Sequence, residues 1–428
     1  VDASAIARLA EMADVQFIEE TPDLVDRSNS NDRWIVQSNV PGVTPLYDHG
    51  LRGEGQVVGV IDGLTAGLDV NHCSFKDLVN NTPGPSHRKV LAYNSPPGVA
   101  THATHVAATA VGDSGAENDL RGVAWASKMV YAARPSFTEM GIYDALSLHH
   151  SQGARVHSNS WGDDSVVWYT SLCRGIDSFA YDNEESLVCF AVTNSGFLKT
   201  PENAKNSLAV GASQGAPNQA SFCSGGVGPT ADGRRKPEIF APGCLTISAQ
   251  SSTACGTAQL TGTSMACPAV AGAAALVRQY FESGFYPSGA ANAPDGFIPS
   301  AALLKASLIN SAVDMTGIAG FPSLQEGWGR VLADNALYFA GDARRMIVRD
   351  VRNIDGLMTG EIVPLGVQVA SAGEPLKVTL AWTEPPATLG ADIAQVNNLD
   401  LEVIDPAGVV YRGNVFIASQ SAAGGDAD

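Results

Sequence analysis

From Gln56 to about Ala340, short and almost continuously apolar runs alternate with stretches of helical periodicity. This alternation constrains the fold more than any other feature. The runs Gln56 to Ile61, Lys128 to Ala133, Ala154 to Ser160, Ser186 to Val192 and Ser207 to Gly211 are too short to be helices, and strands apolar along their whole length are those buried on both faces. Between them the spacing predicts helices near His102 to Val111, Gly141 to Ser151 and Ser171 to Asp182, with a longer one from Ser264 to about Tyr280. Strand and helix in turn give an α/β domain with a parallel sheet flanked by helices.

The pattern changes after Asp342. Leu376 to Trp382 and Leu399 to Ile404 alternate with period two between Pro/Gly turns, which predicts a separate all-β unit. The chain ends in a loop-like Gly424 to Asp428, shorter than such a domain usually runs, so final strands are expected to be missing. At the other end, Val1 to Glu20 reads as a short amphipathic helix and the strand-like Val15 to Ile18, followed by a polar linker from Thr21 to Asp32. It has neither the basic start nor the apolar core of a signal peptide; any such signal is expected upstream. The expected domains are 1–30, 31–342 and 343–428.

Lys and Arg total 26 against 44 Asp and Glu, a net charge of −18, which repels phosphate backbones and anionic headgroups. No nucleic-acid partner is expected, and no membrane: the longest apolar stretch, Ala269 to Val277, is well short of the roughly 20 residues of a spanning helix. The acidic balance is compatible with structural calcium, but no metal ligand set can be named. The seven cysteines form no C-x-x-C pair, which argues against zinc; their scatter suits disulfides of an oxidising compartment. Cys244 and Cys255 flank a hairpin-like stretch and are the expected pair. Cys267, within a small-residue helix, is the expected free thiol, leaving six for pairing.

Three local patterns attract attention by their signals, but context dismisses them. Gly53-Glu-Gly55 precedes a strand instead of following one into a helix. The EF-hand-like run from Val351 lacks carboxylates at its first and twelfth positions. The sequon Asn80-Asn-Thr82 is short enough to occur by chance.

The residues that carry chemistry sit at strand ends and helix starts, where α/β sheets place their sites. Asp62 ends the run Val57 to Ile61, His102 opens a helix, and Ser264 lies at the start of the helix that runs through Ala269 to Val277. Together they form a Ser/His/Asp set. His105 competes with His102 but, one turn further in, points more deeply into packing. Backbone N–H groups in an uncapped first turn are free to hold an oxyanion at Ser264, and Asn194, after the strand Ser186 to Val192, can offer a side-chain amide to the same charge.

These motifs resemble those of the subtilisin-like serine proteases. Gly262-Thr-Ser-Met-Ala-Cys-Pro268 resembles the family's nucleophile signature at every fixed position, and the order Asp62, His102, Ser264 is that of subtilisin, itself an example from general enzymology. Gly122-Val-Ala124, Asn159-Ser-Trp-Gly162, Pro201 to Asn206, Lys236 to Gly243 and Gly327 to Val331 are similar to scaffold and cleft markers. Leu376 to Pro386, Asn397 to Leu401 and Tyr411 to Asn414 resemble the C-terminal jelly-roll β-sandwich of a branch of secreted alkaline proteases.

The resemblance implies a secreted, monomeric serine endopeptidase acting on protein or peptide substrates without a chemical cofactor. It makes Ser264 the nucleophile, His102 the general base and Asp62 its orienting carboxylate. Asn194 and the Ser264 N–H form the oxyanion hole, and Ser160, Trp161, Gly162 and Ala191 line the substrate cleft. Neutral Ala191 and Ser195 suggest an apolar or permissive first pocket. Residues 1–30 resemble the end of a propeptide, with self-cleavage expected near Ser30 as an extended linker lies in the cleft. Gly63 and Leu64 after Asp62, Ala103 and Ala108 in the histidine motif, and Thr193 depart from the family pattern. The alternative they leave open is a catalytically impaired homologue that binds peptides.

Overall fold

A computed structural model describes residues 29–115 and 120–426, together with residue 12. The helix and strand expected within residues 1–20 lie outside the described residues. So does most of the linker, but its described end is not extended: Asn29 and Ser30 open a helix, Asn29–Ile35. Burial explains the difference. Trp34, Ile35 and Val36 pack into the core, and the Asn29 carboxamide donates to Ser248 Oγ (2.8 Å) and accepts from Thr109 Oγ1 (3.2 Å).

The main sheet is built from β1 (Val57–Ile61), β2 (Val90–Asn94), β3 (Lys128–Ala132), β4 (Val156–Asn159), β5 (Leu187–Ala191), β6 (Leu208–Ser213), β7 (Phe222–Ser224) and β8 (Ile239–Pro242). Their order is β2-β3-β1-β4-β5-β6-β7, with β8 also on β6. Every pairing is parallel except β6 with β7. The apolar runs become these strands because helices cover both faces: β4, β5 and β6 are buried at every residue. The fold is therefore the expected α/β fold, with a mostly parallel sheet. The antiparallel pair β9 (Thr246–Ala249) and β10 (Thr257–Leu260) stands apart from it.

Two helices position the site. Thr101–Val111 and Thr263–Glu282 are buried along most of their lengths, and alanines dominate both. Small side chains let the helices approach closely: a methyl group on Gly272 would stand 3.2 Å from Ala110 O of the facing helix and 2.6 Å from Val123 Cβ, the latter well inside van der Waals contact.

After residue 342 the structure departs from expectation. A three-stranded antiparallel sheet is present, made of β11 (Glu402–Ile404), β12 (Val410–Ile417) and β13 (Gln420–Ala423). Leu376 to Trp382, however, is not a strand, and Leu376, Val378 and Leu380 are exposed. Alternation gives a segment one apolar face but no hydrogen-bonding neighbour, and a strand needs both. This region is tied to the α/β unit by a buried pair, Lys205 Nζ to Glu384 Oε2 at 2.8 Å, flanked by Asn206 Nδ2 donating to Glu384 O at 2.8 Å.

The cysteine pairing is corrected. Cys73 bonds to Cys255 and Cys223 to Cys244, so Cys244 and Cys255, near each other in sequence, take different partners. Cys267 is free, as are Cys173 and Cys189; four cysteines are paired, not six.

Candidate active site

Parallel strands end on one edge of a sheet, and here β1, β4 and β5 are neighbours. Asp62 follows β1, Ser160 to Gly162 follow β4, and Val192 to Asn194 follow β5. The starts of the helices Thr101–Val111 and Thr263–Glu282 complete the ring. A cavity of about 390 Å³ is lined by Asp62, His102, Ser264 and Asn194 and by Ser160, Trp161, Gly162 and Ala191, so all eight residues singled out from the sequence meet at one place.

His102 Nδ1 lies 2.9 Å from Asp62 Oδ1. The Asp62 side chain is nearly buried while the imidazole is 43% exposed, leaving Nε2 as the ring atom free to work. Asp62 is fixed through its main chain: its N–H donates to Ala132 O (3.1 Å), and its carbonyl accepts from Tyr131 Oη (2.6 Å). Its Oδ2 is buried without a partner. Burial of the ring pulls the His102 pKa down and Arg134 adds to this, but the hydrogen bond to Asp62 and its charge outweigh both, so the net shift is upward. His105 behaves differently. It is fully buried, its Nε2 lies 3.1 Å from Thr246 O, and burial pushes its pKa down to about 4, which makes it a neutral packing group. Ala103 and Ala108 sit in the core at zero exposure, and their methyl groups leave the His102 to Asp62 bond at ordinary length.

Ser264 is in the first turn of its helix, where the backbone N–H has no helical acceptor. Its Oγ donates to Ser160 O at 3.3 Å and not to His102, and its carbonyl accepts from Ser160 Oγ at 2.9 Å. The second bond has a covalent cause: Pro268 has no N–H to give the carbonyl four residues back, and the Ser160 hydroxyl takes that place.

Asn194 is oriented by a similar argument. Thr263 N–H donates to its Oδ1 at 3.0 Å, while the hydroxyls of Thr263 and Ser224, each 3.2 Å from the same oxygen, have closer acceptors in Val192 O and Asn194 O. Because a backbone N–H can only donate, the oxygen must face it and Nδ2 faces the cavity. Gly262, with φ of 152°, permits this: a Cβ there would stand 2.9 Å from Asn194 Oδ1. The Trp161 ring is withdrawn into packing, with its centroid 5.2 Å from Phe190 and 5.6 Å from Phe137.

The same cavity contains three charged residues that the sequence reading did not select, Arg134, Asp164 and Glu202. Glu202 lies within the run Pro201 to Asn206, similar to scaffold and cleft markers, and no local pattern shows that its side chain turns toward the site. Among the described residues no group of His, Cys, Asp and Glu could hold a metal ion, and no helix is long and apolar enough to cross a membrane.

Residues 53–329 match the Subtilase family, Peptidase S8. The chain is 26% identical over 531 residues to the serine protease/ABC transporter B family protein tagA of Dictyostelium discoideum, covering 93% of this chain and 29% of that protein. It is 28% identical over 271 residues to the alkaline protease of Shouchella clausii, covering 62% of this chain and 64% of that protein. The chain thus spans less than a third of the length of the Dictyostelium relatives that it matches. Among solved structures, the prenylagaramide maturation protease PagA shares the fold, with a TM-score of 0.54 and 23% identity over 69% of this chain and 98% of that one.

Proposed function

Because this chain belongs to the subtilase family, we propose that it is a serine endopeptidase in which Asp62, His102 and Ser264 act as a triad and Asn194 serves the oxyanion. The supporting observation is the convergence on one cavity of the Asp62 to His102 bond, a serine at a helix start and a carboxamide whose donor end is turned inward. The Ser264 hydroxyl turns from Ser160 O toward His102 Nε2, which accepts its proton as Oγ attacks the substrate carbonyl carbon. Asn194 Nδ2 and the Ser264 N–H donate to the tetrahedral oxyanion. His102 then protonates the departing amine, and water repeats the sequence on the acyl-enzyme. No step uses a metal or cofactor; any calcium would be structural. Ser160, Trp161, Gly162 and Ala191 would hold the substrate, their main chain pairing with an extended peptide.

We further read the chain as secreted and monomeric, with protein or peptide substrates and no nucleic-acid or membrane partner. The region after residue 342 would be the jelly-roll sandwich of the secreted alkaline branch, and residues 1–28 the remnant of its own propeptide. Asn29 is anchored by Ser248 and Thr109, so self-cleavage fits better ahead of Asn29 than within the docked helix. N-terminal sequencing tests this: wild type should begin at or just before Asn29, while Ser264→Ala keeps Val1. Labelling of Ser264 by a fluorophosphonate, with hydrolysis of denatured casein, tests the activity. A folded protein with an unreactive serine would instead be a peptide-binding homologue, a reading to which the bond from Ser264 Oγ to Ser160 O lends its one observation.

A further inference from the structure

The wall of the cavity that Thr193 and Gly162 share is acidic. Glu202 is 1% exposed, and its Oε1 accepts the main-chain N–H groups of Thr193 at 3.1 Å and Lys199 at 2.7 Å. Both bonds fall on one oxygen. Oε2 lies on the Gly162 side of the carboxylate, 3.5 Å from the point where a Cβ on that glycine would stand, and the residue lines the cavity. Asp164, exposed, lines the same space. Among the described residues, no Lys or Arg side chain is bonded to either carboxylate. Arg134, the one Lys or Arg lining the cavity among the described residues, belongs to the His102 side, where its main-chain N–H donates to Gly63 O at 2.8 Å.

A buried carboxylate without a counter-charge is costly. Burial pushes the Glu202 pKa up and Asp164 adds to this, while the main-chain N–H groups of Thr193, Lys199 and Glu202 itself offset part of it. A cationic group placed between Oε2 and Asp164 would remove that penalty.

Sheet order shows which part of a substrate arrives there. Asp62 and His102 stand at the β1 side, Gly162 beyond β4, and Thr193 with Glu202 beyond β5, and adjacent strands are about 4.8 Å apart. The departing amine must meet His102, so it leaves on the β1 side. The residue before the scissile bond therefore projects toward β4 and β5.

We propose that Glu202 makes this pocket select Lys or Arg as the residue on the N-terminal side of the scissile bond. The proposal rests on the endopeptidase reading above. It replaces the expectation of an apolar or permissive pocket, which rests on the neutral side chains of Ala191 and Ser195. Asp164 supplies a second acceptor nearer solvent, suited to the fork of a guanidinium.

The test is kcat/KM for peptide amides that differ only in this residue (Arg, Lys, Leu, Phe or Glu), with wild type and Glu202→Gln, each scaled to the fraction of serines that a fluorophosphonate labels. Glutamine keeps an acceptor for Thr193 and Lys199 but loses the charge, so a purely structural role would leave selectivity unmoved. Wild type is expected to favour Arg and Lys over Leu by about 10- to 100-fold, the range of a charge-assisted hydrogen bond. Glu202→Gln should lose most of that preference through KM. Benzamidine should inhibit wild type competitively, a readout that does not depend on the variant folding. Preference for Leu or Phe in wild type, or a basic preference unchanged in Glu202→Gln, would overturn the proposal and leave the endopeptidase reading intact. Absence of both cleavage and serine labelling in folded wild type would overturn the endopeptidase reading itself, and this proposal with it.

Discussion

The Ser160 hydroxyl donates to the Ser264 carbonyl at 2.9 Å, the carbonyl that Pro268 leaves without its helical donor. A proline in the sequence thus fastens the start of the nucleophile helix to the end of β4. Ser160→Ala removes the donor of a part-buried acceptor and should cost about 1 kcal/mol of stability. Pro268→Ala restores an N–H to the helix, so in a double-mutant cycle by urea denaturation the Ser160→Ala cost should shrink in that background.

Ser264→Ala and His102→Ala should each remove nearly all hydrolysis, since triad members act as a unit and leave only about 10³- to 10⁴-fold catalysis over water. His105→Ala should act mainly on stability, because that ring is buried against Thr246. If kcat on folded proteins falls more for His105 than for His102, the assignment of the base is wrong.

Asn194→Ala should lower kcat by about 10²- to 10³-fold with little change in KM, because its amide serves a charge that exists only in the transition state. Gly262→Ala should produce part of the same loss by pushing on Asn194 Oδ1. A large rise in KM with unchanged kcat would mean that Asn194 binds substrate instead.

The pH profile follows from two opposite shifts. His102 must be neutral to act as a base, and its pKa is raised, so kcat/KM should rise with pH through a value above 6.5. The same shift stabilises the fold below 6.5, a contribution lost as pH rises through the folded pKa. His105, His149 and His157 are buried, and burial lowers the pKa of all three, to about 4 for His105 and about 3 for His149. Their unfolded forms bind protons first, so stability present above 6.5 is lost as pH falls toward those values. Thermal melts from pH 8 to pH 4 should show this loss, and His149→Phe should reduce it.

Thiol titration should find three free cysteines, unreactive until the chain unfolds because Cys173, Cys189 and Cys267 are buried. Non-reduced peptide maps should join Cys73 to Cys255 and Cys223 to Cys244. A peptide linking Cys244 to Cys255 would contradict the fold around β9 and β10.

The amino-acid sequence by itself determined whatever depends on near neighbours along the chain. Apolar runs made β1, β3, β4, β5 and β6 legible, and strand ends and helix starts marked Asp62, His102, Asn194 and Ser264, because periodicity and first-turn chemistry act over a few residues. Only the tertiary structure decided what depends on residues far apart. Cys73 and Cys255 are separated by 182 positions, and loop closure over such a span is paid by the whole fold and signalled by no local pattern. The period of Leu376 to Trp382 gave a face but no partner strand, so it did not become a strand. Glu202 carries no local signal of its role, because only the loop after β5 brings the Thr193 and Lys199 N–H groups to one of its oxygens and sets the residue in the cavity wall. A carboxylate acquires its role from the donors and charges that surround it, and those are set by packing.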